Sequence, residues 1–267
     1  MDLKLVRSLI FVGVVMLAPA VVAQEFRIET EVYRDGESEP IAENLTLFSG
    51  NLIFDFLLAA DRTRFPEEIV VYQSNEKRFV LLNTARQIKT EIIEGEVLKI
   101  LAALQSSSMA SGENEFLFHP NFREHYDVSS GWLTMESPQL TYRTRGDRPT
   151  SNQLHRIYEF LDQFSRLNAT DPRRMPPFAR LKLNAAIKKY GFIPEEVEVT
   201  LIPQLDPPAE PIQLRSRHSL MWELSDKDQQ RIESAKRYWM DFRRVSLAEF
   251  RGLEQTADAS SEDTKHK

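Results

Sequence analysis

The stretch from Phe26 to Ile92 constrains the fold more than any other part of this chain. In Phe26-Arg27-Ile28-Glu29-Thr30-Glu31-Val32, apolar or β-branched residues alternate with charged ones, the period of a strand with one wet face. A turn follows at Arg34-Asp35-Gly36-Glu37. Asn44–Phe48 and Leu52–Leu58 then flank Ser49-Gly50-Asn51, a hairpin signal. Ile69–Tyr72, Arg78–Leu82 and Arg86–Ile92 continue the series, joined by Gln73-Ser74-Asn75-Glu76-Lys77 and Asn83-Thr84-Ala85. Connections this short join antiparallel neighbours, because a parallel crossover needs about a dozen residues or more. Residues 25–92 are therefore expected to form an antiparallel meander of six strands.

Beyond it the period changes. Ile93, Val97, Ile100, Leu101 and Leu104 follow helical spacing as far as the polar run 105–108. Trp132–Met135 and Leu140–Thr144 read as another hairpin around Ser137-Pro138. Ser151 is a candidate N-cap for a helix whose Leu154, Ile157, Tyr158, Leu161, Phe164 and Leu167 share one face. A second helix is expected between Pro176-Pro177 and Gly191, and strands at Glu196–Ile202 and Ile212–Leu224. Ser225-Asp226-Lys227-Asp228 resembles a capping box before a last helix carrying Ile232, Ala235, Trp239, Phe242 and Val245. The strands cannot bury both faces alone, and every helix needs an apolar partner. The expected fold is α+β: a curved antiparallel sheet (meander) packed on amphipathic helices, one domain over 24–252, with a disordered tail at 253–267.

The first residues set the compartment. Lys4 and Arg7 precede the apolar run Ser8–Leu17, and Val21-Val22-Ala23 puts small residues before Gln24. This is the plan of a signal peptide over 1–23, cleaved between Ala23 and Gln24, with Ala20 as a second cleavage position. The uncharged run Ser8–Ala23 is shorter than the roughly 20 residues of a membrane-spanning helix. The expectation is export to the periplasm or the extracellular space, with no integral membrane segment after cleavage. With no Cys, the chain has no lipidated cysteine, no disulfide, no thiolate metal site and no Cys nucleophile. A formal net charge of −6, which loss of residues 1–23 makes more acidic, argues against nucleic acid as a partner.

Chemistry-bearing patterns are sparse. The sequence holds no GxSxG, Walker A, GxGxxG, HExxH or EF-hand loop. His119 and His125 flank a loop with Glu124 and Asp127, yet the spacing fits no standard metal site, so no metal, no cofactor and no catalytic residue is assigned. His155, off the apolar face of its helix, reads as solvated, and His218 reads as structural. Asp55 interrupts the apolar run Leu52–Leu58; it reads as facing water with Ile53 and Leu57 while Leu52, Phe54 and Phe56 face the core. If buried, it would need a partner or a raised pKa. Arg173, Arg174, Arg180, Lys182, Lys188 and Lys189 read as a solvated basic helix surface. Asn44-Leu45-Thr46 and Asn168-Ala169-Thr170 have the form of glycosylation sequons.

The succession FRIETEVY, LTLFSG, LIFDFLL, EEIVVYQ, RFVLLN and RQIKTEI, followed by helices and the hairpin GWLTMESPQLTYRTR, resembles the periplasmic lipoprotein-carrier fold over residues 25–145. It is similar too to exported bacterial proteins with the same strand–turn texture. The helical pair at 151–190 and the last helix depart from the carrier pattern, so no site residue is carried over. The resemblance implies a curved sheet half-wrapping helices around an apolar groove for acyl chains. The expected function is that of an exported non-catalytic binding protein, with a lipid or amphiphilic ligand against the concave face of the sheet. Phe48, Phe54, Phe56 and Asp55 are the candidate contacts. The alternatives are a structural component of the cell envelope with a protein partner, and a hydrolase using His119–Asp127 or Asp55.

Overall fold

The computed structural model describes residues 25–58, 68–111, 115–149, 154–203 and 210–253. The signal segment 1–23 with the Ala23–Gln24 junction, the Ser151 cap and the tail from residue 254 lie outside the described residues.

The alternating N-terminal stretch forms six strands: β1 (Phe26–Arg34), β2 (Ala42–Ser49), β3 (Leu52–Leu58), β4 (Glu68–Gln73), β5 (Arg78–Asn83) and β6 (Ile88–Ile93). Each pairs antiparallel with the next. The β2–β3 connection turns at Gly50, whose φ of 55° lies in the left-handed region that glycine enters without cost. Next come α1 (Glu94–Ser111), α2 (Glu115–Phe118), β7 (Arg123–Tyr126), β8 (Leu133–Glu136) and β9 (Leu140–Asp147). The remaining elements are α3 (Leu154–Leu167), α4 (Phe178–Tyr190), β10 (Ile193–Leu201), β11 (Ile212–Met221), α5 (Asp226–Asp241), β12 (Arg243–Arg244) and α6 (Leu247–Arg251).

All the strands belong to one open sheet in the order β12-β6-β5-β4-β3-β2-β1-β11-β10-β9-β8-β7. The sheet is antiparallel apart from the two-residue pairing of β12 with β6, which is parallel. The meander thus forms one half, and β7 to β10 form the other. The two halves are joined where β11 pairs with β1, Thr30 opposite His218.

Because side chains alternate, the register sorts the apolar residues onto two faces. On one face, Phe26, Phe48, Ile53, Tyr72 and Phe79 meet Val97 and Leu101 of α1 and Ile157 and Leu167 of α3. On the other, Leu45, Leu47, Phe54, Phe56 and Val71 meet Ile232 and Ala235 of α5. At the β7 end, Leu133, Tyr142 and Val197 pack on Ala179, Leu183 and Ile187 of α4. Both faces of the meander are therefore covered. Leu52, Phe54 and Phe56 face a core, as expected, but the reading in which Asp55 faces open water is corrected: α3 lies over the Asp55 face.

Caps hold the helix ends. Gly191, at φ 72°, closes α4, whose last turn carries Lys188 and Lys189 where cations suit the helix dipole. At the start of α5, the Ser225 hydroxyl accepts from the Asp228 N–H, and the Asp228 carboxylate accepts from the Ser225 N–H. Asp228 is fully buried and also accepts from Arg27 of β1 at 2.8 Å, which fastens α5 to the sheet. Among the described residues, no helix is long and apolar enough to cross a membrane.

Candidate functional site

Helix α3 does not meet the sheet along its whole length. The row Phe26–Phe48–Ile53–Tyr72–Phe79 is bulky, and the α3 rings Phe160 and Phe164 pack edge-on against Phe48 and Phe79 at centroid distances of 5.7 and 5.9 Å. Along the same face the next rows shrink and turn polar. Ile28 lies opposite Thr46, Thr46 opposite Asp55, and Thr30 between Asn44 and His218. Shorter side chains beneath a rigid helix leave a gap. It is a cavity of about 390 Å³, within the range of small-molecule sites. Leu57, Val70 and Ile193 continue its floor, and Ile157, Phe160, Leu161 and Phe164 form its roof.

Its polar groups fall into two clusters. The first surrounds Asp55. Thr46 Oγ1 donates to Asp55 Oδ1 at 2.7 Å, and Asn44 Nδ2 donates to Oδ2 at 3.1 Å. Burial pushes the Asp55 carboxyl up to about 6, although these two hydrogen bonds and nearby Arg174 act in the opposite direction. Beside it, Arg251 of α6 donates to both oxygens of Glu68 at 3.2 and 3.4 Å and to Thr170 Oγ1 at 3.2 Å, and it lies 3.8 Å from Asp171. Arg174 donates to Asn168 Oδ1 at 3.1 Å and approaches Glu68 at 4.0 Å. Every charge in this cluster has an opposite partner or a hydrogen bond.

The second cluster lies under β10 and β11. His218 Nδ1 and Thr30 Oγ1 are 2.9 Å apart, while His218 Nε2 is buried with no hydrogen-bond partner. Burial, and the nearby Arg180 charge, push the imidazole down to about 3, so it is neutral near pH 7. Arg180, in the first turn of α4, lines the same cavity. Burial lowers its pKa, and the proximity of Tyr142 offsets part of this. Among the described residues, no carboxylate comes within ion-pair distance of Arg180, and no acceptor hydrogen-bonds it. The reading of 173–189 as a solvated basic surface is thus corrected for Arg180, which faces the cavity; Arg174 lines the cavity too but stays exposed. Lys182 is also engaged, donating to the Pro120 carbonyl.

Asp55 on β3 and His218 on β11 are separated by two intervening strands, so they stand roughly 14 Å apart at the usual inter-strand spacing. They cannot share a proton or act on one bond as an acid–base pair.

Of the four contacts expected from sequence, only Asp55 lines the cavity. Phe54 and Phe56 project to the opposite face, beneath α5. Phe48 is on the cavity face but one row away, stacked on Phe26 at 4.0 Å. The His119–Asp127 groups diverge. Glu124 accepts from Lys189 and Tyr190, Asp127 accepts from Ser129 and Ser130, and His125 is exposed on the edge strand β7. Among the described residues, no three His, Cys, Asp or Glu side chains gather to hold a metal ion. The sequon residue Asn44 points into the cavity, bonded to Asp55. Sequence reasoning passed over Arg180, His218 and Phe160. The available signal was a row of small polar residues at strand positions otherwise aliphatic, visible only once β11 is placed beside β1.

No family model matches the chain, and no curated protein matches it. Among solved structures it is similar to PNGF-II in the P21 crystal form, with a TM-score of 0.34 and 9% identity over 78% of this chain and 30% of that one. For PNGF-II in the C2 form the TM-score is 0.31, with 8% identity over 77% of this chain and 29% of that one. The chain thus spans less than a third of the PNGF-II chains it matches. A likeness this slight carries no argument.

Proposed function

We propose that this is an exported, non-catalytic binding protein that holds an apolar or amphiphilic small molecule between the concave face of its antiparallel sheet and the amphipathic helix α3. The observation that carries the reading is the cavity of about 390 Å³, roofed by Phe160, Leu161 and Phe164 and floored by Ile28, Leu57 and Val70. Its apolar roof and floor, beside polar groups gathered in two clusters, suit a molecule with an apolar body and a polar head. The carboxyl raised to about 6, Asp55, is engaged by Thr46 and Asn44 and has no histidine within reach, so the arrangement favours holding over turnover. Residues 1–23, with cleavage after Ala23, support export.

The test is organic extraction of the protein purified from its native host, followed by mass spectrometry, together with titration of the neutral dye N-phenyl-1-naphthylamine. A stoichiometric amphiphile in the extract and saturable dye fluorescence are expected. Leu57→Trp, which fills the cavity from its floor, should abolish dye uptake while the unfolding midpoint stays close to wild type. No retained amphiphile and no dye uptake in the wild-type protein would overturn the proposal.

A further inference from the structure

We propose that the bound molecule is a single-chain amphiphile whose carboxylate head sits on Arg180 beside His218, with its chain beneath Phe160 and Phe164. This rests on the binding reading above and adds the chemistry of the head group.

The argument starts from what the cavity leaves unpaired. A guanidinium taken out of water without a counter-charge is costly, and buried cations are ordinarily paired. The arginines on the Asp55 side obey that rule: Arg251 binds Glu68, and Arg174 has Asn168, Glu68 and Asp171. Arg180, partly buried on the cavity wall, has no such partner among the described residues. Nearby, His218 keeps a buried Nε2 without a partner while Nδ1 is taken up with Thr30. With the Thr30 hydroxyl donating to Nδ1, the neutral ring carries its proton on Nε2. The guanidinium fork and this N–H then form a set of donors with no acceptor among the described residues.

The missing group is an acceptor of one negative charge. A carboxylate fits, since it is planar, monoanionic and matched to the arginine fork. The cavity lies near the lower end of the small-ligand range of about 300–1,000 Å³, which suits one chain rather than several. The Asp55 cluster needs nothing from the ligand, because Thr46 and Asn44 already satisfy that carboxyl. The head is thus directed to the α4 side, and the chain runs across β11, β1 and β2 under the α3 rings.

The experiment compares dodecanoate, dodecanol and dodecyl phosphate by calorimetric titration near pH 8 against wild type, Arg180→Met and Arg180→Lys. Wild type should bind dodecanoate about tenfold or more tighter than dodecanol, the return expected of a charge-assisted hydrogen bond. Arg180→Met should bring the two within about twofold by weakening dodecanoate alone. Among the described residues Arg180 has no ion-pair partner to strand, so this variant should fold with an unchanged circular dichroism spectrum. If it does not fold, Arg180→Lys carries the test: the charge without the fork should weaken dodecanoate about fivefold and leave dodecanol unchanged. Equal affinity for acid and alcohol in wild type, or an intact preference in Arg180→Met, would overturn the head-group assignment while leaving the binding reading standing. Dodecyl phosphate binding more tightly than dodecanoate would overturn the choice of carboxylate. Failure of all three probes to bind wild type would overturn the binding reading itself.

Discussion

Replacing Asp55 by Asn should stabilise the protein at neutral pH and slightly destabilise it in acid. The carboxyl has an ordinary value of 3.8 and is pushed up to about 6 in the folded chain. Between those values the unfolded chain has released the proton and the folded chain still holds it, so stability falls as pH rises. The cost is absent below about pH 4, grows toward pH 6 and is complete above it. At about 1.4 kcal/mol per pH unit, the gap is worth about 3 kcal/mol. Asn keeps the shape and can accept from Thr46, but its amide N–H groups face the Asn44 donor, which returns about 1 kcal/mol. Asp55→Asn should therefore gain about 2 kcal/mol at pH 8 and lose any advantage near pH 4. Urea unfolding at steps between the two, followed by tryptophan fluorescence, measures the difference between variant and wild type. This isolates Asp55 from the carboxyls held below their usual range, such as Asp171 and Asp228. A variant less stable than wild type at pH 8, or a difference that does not change with pH, would refute the reasoning.

Three further outcomes follow from other contacts. Asp228→Ala removes a fully buried carboxylate that caps α5 and pairs with Arg27, leaving that arginine to Glu29 alone; a loss of about 3 kcal/mol is expected by urea unfolding. Gly146→Ala would drive a methyl group into the Ile193 carbonyl at the β9–β10 bulge, so destabilisation of about 3 kcal/mol or more is expected, with hydrogen-exchange protection lost first in β9 and β10. Arg251→Met leaves Glu68 only the distant Arg174, while Asp171 keeps Arg173, and should lower the unfolding free energy by about 2 kcal/mol, more at neutral pH than where the carboxyls are protonated.

The meander was legible because its information is local. Alternation in Phe26–Val32 and short polar turns such as Asn83-Thr84-Ala85 identify neighbouring strands without reference to the rest of the chain. The same holds for the α5 cap, which four consecutive residues carry. What was hidden depends on distant pairing. Phe54 and Phe56 read as ligand contacts because an aromatic strand does not reveal which helix covers which face; α5, far along the chain, takes that side. His218 read as structural because only the register with Thr30 brings it under α3. Arg180 read as solvated because Lys188 and Lys189 on the same helix are, and half a turn of a helix separates an outward from an inward position. The short elements β7, β12 and α6 carry too few residues for any period to show.

The position of β1 has a consequence for how the chain matures. It is the first strand made, yet its second neighbour lies far along the chain: Thr30 meets a residue 188 positions later. Until β11 docks, the inner edge of β1 offers unpaired amides and carbonyls, the template on which strands of other molecules add. Closing so long a loop is slow, so this protein pays in assembly time for a site that spans the seam. A chain cut short before β11 would keep a plausible meander and have no binding cavity of this shape, and it would be prone to aggregate along that edge.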